Sequence, residues 1–396
     1  MFYPVKYPYT VYREMMEVTT TMILDISNSL FKNILDDREL FLPIRWDGTD
    51  FSDTLEKLFH YYIKRVEIYC AEKYPDNCDY ANMITNIKRI SGLIIQSINH
   101  YLNGFPSKAY SSFDQAMSIL VKTPLTIYQK SVMGQFEDFK SRNYQDLDLF
   151  RVVRVNDNRP YQRSRAFHTP YNLRAKVSTS RYSIAGYPSL YLGTSLELCC
   201  KEIQINPYKD LAITSLFRLE RTLEYTNADI QVIELGIKPQ DFLDMREENE
   251  SHRRIIPGRL LENSHTRSAF LLWYPLIAAC SYIRVNKNDP FAAEYIVPQL
   301  LMQWVRSEID SARGDGYDQL IGIRYFSCAS VKASDMGFNY VFPTSGNPKS
   351  AELPYCSILS KAFRLTKPIY IHEYDNIYAC EQALARLKDF DFISSK

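Results

Sequence analysis

Apolar residues recur at helical spacing through the first third of the chain. Between Thr54 and Tyr74 they return every three or four residues, which predicts an amphipathic helix. The segment Asn82 to Leu102 repeats this pattern and ends at Asn103 and Gly104, a typical helix stop, and Ser111 to Val121 predicts a third helix. We therefore predict a mainly helical N-terminal domain over residues 1–145, serving either as a scaffold or as a partner-binding module.

The pattern changes at Leu149, after a polar link from Ser141 to Asp148. Short apolar runs with the character of strands now alternate with helical segments, which predicts an α+β domain over residues 149–396, its motifs within 149–330, followed by a C-terminal extension. The predicted strands are Phe150–Val155, Leu190–Leu192, Ala212–Arg218, Gln231–Leu235, Leu320–Phe326 and Asn339–Phe342. The predicted helices are Leu196–Gln204, Ser268–Ile283 and Glu294–Ile309.

Composition narrows the class of protein. Of the 396 residues 46% are hydrophobic and 23% are charged, as in packed globular proteins, and the formal net charge of +1 gives no general attraction to nucleic acid or to an anionic membrane. The longest apolar run, Ala269 to Cys280, is too short to span a bilayer, and the first ten residues lack the apolar core of a signal peptide. Eight cysteines without a CxxC pair indicate reduced thiols and no zinc site. We expect a cytoplasmic protein.

Basic residues are concentrated between residues 151 and 181, a segment that we call the basic block. It contains eight arginine or lysine residues and one acidic residue, Asp157. Such a block either binds phosphate groups, which arginine holds through a bidentate fork, or forms a solvated loop with acidic partners elsewhere in the fold. Arg151 and Arg154 differ from the others because they lie within the apolar run LFRVVRV, where an arginine needs a partner or a ligand.

The segment that follows sets one tyrosine apart from its leucine neighbours. Period-2 alternation puts Leu190 and Leu192 on one face of a strand and Tyr191 on the other. Thr194 precedes Glu197 by three residues, a capping-box pattern that predicts the start of a helix. The apolar stripe expected on that helix is Leu196, Cys199, Cys200 and Ile203.

Three further polar residues are candidates for a site. Glu202 lies on the flank of the apolar stripe, where a carboxylate needs either a function or an ion pair with an arginine of the basic block. Ser327 ends the apolar strand QLIGIRYFS, where a hydroxyl contacts a ligand or caps a turn. His168 is either a ligand-binding group or a loop histidine bonded to the backbone. The sequence contains no GxGxxG, P-loop or HExxH motif.

Several stretches together resemble the RES domain, which is named after its Arg, Glu and Ser residues and occurs in bacterial RES–Xre toxin–antitoxin systems. The resemblance covers somewhat under half of the chain and follows the order of the family's motifs. The matching stretches are LFRVVRV (149–155), AFHTP (166–170), RYSIAGYPSLYLGTSLELCCKE (181–202), EYIVPQLLMQWVR (294–306) and IGIRYFS (321–327).

The resemblance implies an ADP-ribosyltransferase-like fold that binds NAD+ and cleaves its nicotinamide–ribose bond. Members of the family are NAD+ phosphorylases or glycohydrolases, and at least one type is a protein ADP-ribosyltransferase. In this family the tyrosine contacts nicotinamide. The implied catalytic residues are Arg181, Tyr191, Glu202 and Ser327, and the family's first arginine falls at Arg151, with Arg154 as the alternative alignment. We predict that Arg151, Arg154, Tyr182 and His168 bind the substrate.

We therefore predict an NAD+-degrading enzyme that acts as a bacterial toxin or defence effector. NAD+ is its expected substrate, phosphate or water the expected acceptor, and no cofactor or metal is expected. A protein ADP-ribosyltransferase is one alternative. A nucleic-acid-binding regulator that uses the basic block is another, which the near-neutral net charge disfavours. The expected partner is an antitoxin or another regulatory protein, and we expect an oligomer without membrane contact.

Overall fold

The computed structural model describes residues 28–73, 78–122, 126–128, 148–219, 230–243, 264–286, 288–311, 319–345 and 354–393. The first ten residues and nearly all of the polar link predicted at Ser141 to Asp148 lie outside the described residues. The chain forms two compact units, each assembled from separated segments. The helical unit comprises the described residues within Met1–Leu125, Lys238–Glu247 and Ile256–Arg313. The sheet unit comprises those within Thr126–Ile237 and Gly314–Lys396.

The described α-helices follow the predicted periodicity closely. In the N-terminal part, the helices predicted from Thr54, Asn82 and Ser111 are confirmed as Phe51–Lys73, Cys78–Leu102 and Pro106–Leu120. In chain order the described helices are α1 (Asn28–Leu35), α2 (Phe51–Lys73), α3 (Cys78–Leu102), α4 (Pro106–Leu120), α5 (Leu196–Glu202), α6 (Pro239–Leu243), α7 (Ser264–Ala279), α8 (Ile296–Ser311), α9 (Ser357–Ala362) and α10 (Ile377–Arg386). None of them is both long and apolar enough to cross a membrane.

Helices α7 and α8 belong to the helical unit, whereas the sequence prediction had a single boundary between residues 145 and 149. Nearly every side chain from Ala269 to Cys280 is buried. A helix that is apolar around its whole circumference needs helical neighbours, and α7 packs against α3 while α8 packs against α3 and α4. The stretch EYIVPQLLMQWVR, which contributed to the family resemblance, therefore lies outside the sheet unit.

A mixed sheet forms the sheet unit. Its described strands are β1 (Thr126–Tyr128), β2 (Asp148–Arg154), β3 (Ser189–Gly193), β4 (Ala212–Leu219), β5 (Ile230–Leu235), β6 (Gln319–Phe326), β7 (Phe338–Pro343), β8 (Phe363–Leu365) and β9 (Ile369–Tyr370). The strand order is β1-β5-β6-β7-β3-β2-β4-β8, with β9 also paired to β4. Strands β5 and β6 run parallel, and the other described pairs are antiparallel.

The α+β class predicted from the sequence is confirmed, with a helical N-terminal region and a mixed sheet. All six predicted strands are present within a few residues of their expected bounds. The finer prediction of an ADP-ribosyltransferase-like fold stays a prediction.

The junction of β2 and β3 is the weakest ladder near the centre of the sheet. These two strands share one residue pair, Phe150 with Gly193. In contrast, β2 pairs with β4 over seven residues and β3 with β7 over five. Because backbone pairing is short there, side chains make contacts between β2 and β3 where a continuous ladder would have backbone hydrogen bonds.

Candidate active site

A tight turn presents Arg181 next to strand β3. The backbone N–H of Ser180 donates to Ser183 O at 3.0 Å and the N–H of Ser183 donates to Ser180 O at 3.2 Å, so Arg181 and Tyr182 occupy the tip. The hydroxyl of Tyr191 bonds to Ser180 Oγ at 2.7 Å and to Ser183 Oγ at 2.8 Å. Arg181 thus lies at the tip of a tight turn, and Tyr191 fastens this turn to β3.

Tyr191 differs from its neighbours in exposure, as the alternation predicted. Leu190 and Leu192 are buried, whereas Tyr191 is half-buried. Its hydroxyl is engaged by two serines, so a ligand would meet the ring and not a free hydroxyl. An aromatic face of this kind suits stacking against another planar ring.

Helix α5 begins at Leu196, as predicted, but its N-cap residue is not the expected Thr194. Ser195 is the N-cap residue, and its side chain accepts from the N–H of Leu198 at 3.2 Å. The Thr194 hydroxyl instead accepts from the N–H of Phe338 at 2.9 Å, which ties the helix start to β7. The predicted cap at Thr194 is therefore wrong, because a partner distant in sequence occupies its hydroxyl.

The apolar stripe of α5 is nearly the expected one. Leu196, Cys199 and Cys200 are buried, but Ile203 follows the last helical residue and is exposed. Burial raises the pKa of the Cys200 thiol to about 12, so this cysteine is a packing residue and not a nucleophile.

Two features hold α5 against the sheet. A Cβ on Gly193 would lie 2.7 Å from Cys199 Sγ, so only glycine allows the helix this close to β3. From α10, Glu381 accepts the N–H of Leu196 at 2.7 Å, which satisfies a donor of the first helical turn. The sequence analysis did not identify Glu381, since no local pattern links residues so far apart.

Glu202 ends α5, and its carboxylate contacts strand β7. Its Oε1 accepts a hydrogen bond from Asn339 Nδ2 at 2.6 Å, and Asn339 is buried. An ion pair with an arginine of the basic block was the alternative interpretation from the sequence. No such ion pair of Glu202 is present among the described residues, so its partner is a neutral amide.

The sheet register brings a further tyrosine to the same place. Gly193 and Tyr325 are each paired with Asn339 in adjacent antiparallel ladders, so these positions share one face, as does Tyr191 two residues away. The Tyr325 ring lies 4.6 Å from the Tyr182 ring. Burial raises the pKa of the Tyr325 hydroxyl well above its usual value, with Glu202 and Tyr191 adding to the effect and Arg181 opposing it.

These contacts define the candidate site, which comprises Arg181, Tyr182, Tyr191, Glu202, Tyr325 and Asn339. Tyr325 and Asn339 are additions that the sequence analysis missed. Period-2 alternation along IGIRYFS could have identified Tyr325, because it lies on the opposite face of the strand from Arg324.

The two arginines of LFRVVRV have different environments. The Nη1 of Arg151 donates to Tyr191 O at 3.0 Å, across the β2–β3 junction, and its Nε is buried without a hydrogen bond. Burial lowers the pKa of the Arg151 guanidinium to about 10. Arg154 is 56% exposed and lies 3.8 Å from Asp210. Of the two candidates for the first arginine that the resemblance implies, Arg151 is therefore the one that contacts a residue of the candidate site, through the carbonyl group of Tyr191.

His168 is a structural residue in this fold. Its Nδ1 lies 2.8 Å from Thr169 O and its Nε2 accepts from the N–H of Cys356 at 2.9 Å. Burial lowers the pKa of the imidazole to about 4, which keeps it neutral. Both ring nitrogens contact the backbone, which matches the alternative interpretation of a loop histidine bonded to the backbone. A substrate-binding role of His168 stays a prediction.

Ser327 is fully buried and caps a turn. Its Oγ accepts from the N–H of Ala329 at 3.1 Å, directly after β6. This contact matches the turn-capping interpretation. A catalytic role of Ser327 stays a prediction that rests on the family resemblance.

Three arginines of the basic block lie next to acidic residues. Arg163 bonds to Asp389, Arg159 lies 3.3 Å from Asp157, and Arg154 is next to Asp210 as described. Arg154 and Arg163 thus have acidic partners elsewhere in the fold, whereas the partner of Arg159 lies within the basic block. Among the described residues no cluster of three or more His, Cys, Asp or Glu side chains could hold a metal ion.

Comparison with known proteins adds one relative. The chain is 27% identical over 338 residues to a protein named "Putative toxin YopC" from Bacillus subtilis (strain 168). The match covers 83% of this chain and 68% of that protein. No protein-family model matches the chain, and no solved structure matches it.

Proposed function

We propose that this protein is an NAD+-consuming enzyme that cleaves the nicotinamide–ribose bond and acts as a toxin. The observation that carries the proposal is the placement of the Glu202 carboxylate on the sheet face that also holds Tyr191, with the Arg181 turn fastened to that tyrosine. The toxin role is supported by the relative, which is named a toxin. The resemblance to the RES domain supports NAD+ as the substrate.

The pyrophosphate, the nicotinamide and the adjoining ribose of NAD+ each have a matching group in the candidate site or in contact with it. Arginine binds pyrophosphate through bidentate, charge-assisted hydrogen bonds, and Arg181 and Arg151 would supply this charge. The ring of Tyr191 would stack on nicotinamide. The Glu202 carboxylate would lie near the ribose, where positive charge develops as the bond breaks.

The reaction balances without a cofactor. The bond between ribose C1 and the nicotinamide nitrogen breaks, and its electron pair leaves with nicotinamide, which becomes neutral. An oxygen of water or phosphate forms the new bond to C1 and loses its proton to solvent. Glu202 stabilises the oxocarbenium-like ribose between these events, as carboxylates do in glycoside cleavage.

The identity of the acceptor is tested by product masses. The purified protein is incubated with NAD+, with and without phosphate, and the products are read by mass spectrometry. Hydrolysis gives ADP-ribose and phosphorolysis gives its 1''-phosphate, whereas transfer leaves ADP-ribose on a protein. Nicotinamide release in any of these forms supports the proposal, and its absence under both conditions overturns it.

Nucleic-acid binding is the less favoured alternative. A basic surface that contacts phosphates along RNA or DNA needs unpaired cations, but Arg154, Arg159 and Arg163 are paired with aspartates. A regulator of this class would show an affinity that falls steeply with salt, which a titration at two salt concentrations would detect.

A toxin that depletes NAD+ would also harm the cell that makes it. We therefore propose control by an antitoxin or another regulatory protein. We also propose that the protein assembles into an oligomer. Co-purification of the protein from cells that carry the genes next to its own tests for a regulatory partner. Measurement of the mass of the purified protein in solution tests for an oligomer.

A further inference from the structure

Asn339 makes a single side-chain hydrogen bond among the described residues, and it is to Glu202. Asn339 is 4% exposed, and its Nδ2 lies 2.6 Å from Glu202 Oε1. The acceptor is a carboxylate, so the bond is charge-assisted and stronger than a bond between neutral groups. Because the buried amide of Asn339 donates to the Glu202 carboxylate, it restricts the rotation of the Glu202 side chain.

The constraint matters because the helix itself does not fix the end of Glu202. Glu202 is the last residue of α5, and Gln204, two residues on, has a φ of 54°, so the chain leaves the helical path there. Three side-chain torsions separate the Glu202 carboxylate from the backbone. Asn339, in contrast, lies inside the sheet, paired with Gly193 on one side and with Tyr325 on the other.

Gly193 allows α5 to lie close to the sheet. A Cβ at that position would lie only 2.7 Å from Cys199 Sγ, whereas its distance of 3.6 Å to Asn339 Oδ1 is an ordinary van der Waals contact. The glycine therefore permits the close approach of the helix whose last residue is Glu202. The other carboxylate oxygen, Oε2, makes no hydrogen bond or ion pair with the described residues.

We propose that Asn339 is a positioning residue that fixes one oxygen of Glu202 and leaves the other directed to the ribose of NAD+. This inference rests on the proposed function. Asn339 does not itself act on the reacting atoms. It acts by limiting the rotation of Glu202, so its loss slows the chemical step more than it weakens NAD+ binding.

The test compares N339L with T366V in the full-length protein. Both replacements are close in shape to the native residue, and each removes one buried side-chain hydrogen bond in the sheet unit. The bond lost in T366V is the one that Thr366 Oγ1 accepts from the N–H of Leu216 at 3.1 Å. We expect N339L to lower kcat roughly ten- to a hundredfold with KM within about twofold, and T366V to leave both near the wild-type values.

A double variant keeps the test informative if N339L folds poorly. In N339D two carboxylates face each other, which lowers the thermal midpoint. In N339D/E202Q a donor and an acceptor have exchanged places, so the midpoint recovers. Activity stays lost, because the carboxylate now extends from β7.

The outcomes separate this inference from the proposed function. Nicotinamide release by the wild type with normal kcat in N339L overturns the inference alone. The same holds if KM rises while kcat is unchanged, or if N339D/E202Q is no more stable than N339D. No nicotinamide release by the wild type overturns the proposed function and this inference together.

Discussion

The hydroxyl of Tyr191 bonds to Ser183 Oγ at 2.8 Å, and this contact ties the turn that carries Arg181 to strand β3. Ser180 shares the same hydroxyl at 2.7 Å. In the proposed function the hydroxyl of Tyr191 and its ring thus have separate tasks: the hydroxyl holds the turn, and the ring stacks on nicotinamide.

Replacing Tyr191 by phenylalanine separates these tasks. Y191F keeps the ring but releases the turn, so we expect KM for NAD+ to rise roughly tenfold, equivalent to about 1.4 kcal/mol of binding. The matched control is Y370F, which also loses two hydrogen bonds in the sheet unit, to the carbonyl groups of Asp157 and Arg159. Steady-state kinetics of the two variants check this, and an equal KM in both would contradict the role of the turn.

Arg151 and Arg154 are distinguished by a second pair of variants. We expect R151M to raise KM for NAD+ at least about tenfold, because it removes a cation next to the site. R154M removes an exposed guanidinium 3.8 Å from Asp210, a contact worth at most about 1 kcal/mol, and should leave kinetics unchanged. If R154M were the more impaired variant, the alternative alignment of the first arginine would be correct.

The buried imidazole of His168 should make the free energy of unfolding depend on pH. Its folded pKa of about 4 lies below the ordinary value of 6.5, so between these values the unfolded state binds more protons than the folded state. Stability from this group is complete above pH 6.5 and is lost as the pH falls to about 4, by at most about 3 kcal/mol.

Urea unfolding of the wild type and H168Q across this range measures the effect. The fall in unfolding free energy towards acid should be smaller in H168Q, since glutamine does not titrate. His372, an exposed histidine, provides the control variant H372Q. An identical pH slope in the wild type and H168Q would mean that His168 is not neutral and buried.

The elements of this fold were largely predictable from local patterns. Helical periodicity located α2 to α4, and alternation set Tyr191 apart from Leu190 and Leu192, because burial of one face is a property of a few neighbouring residues. The assignment of α7 to the helical unit was not predictable in this way. Its all-round apolar surface indicates burial but does not specify the partner.

The site was predictable only in part, for a similar reason. Arg181, Tyr191 and Glu202 lie close together in sequence and were found there. Asn339 and Glu381 reach α5 from elements more than a hundred residues away, and only the register of β7 or the packing of α10 brings them close. The N-cap residue is Ser195 and not Thr194 for the same reason, because the Thr194 hydroxyl accepts a hydrogen bond from the distant N–H of Phe338.

Nicotinamide release from NAD+ by the wild type, E202Q and E197Q shows whether the Glu202 carboxylate takes part in cleavage of the nicotinamide–ribose bond. Both substitutions neutralise a glutamate of α5, but Glu197 is exposed in the first turn while Glu202 contacts Asn339. The account predicts release by the wild type and E197Q at similar rates, and a loss on the order of 100-fold or more in E202Q with an unchanged thermal midpoint. Equal release by E202Q and the wild type, or no release by any of the three, would contradict it.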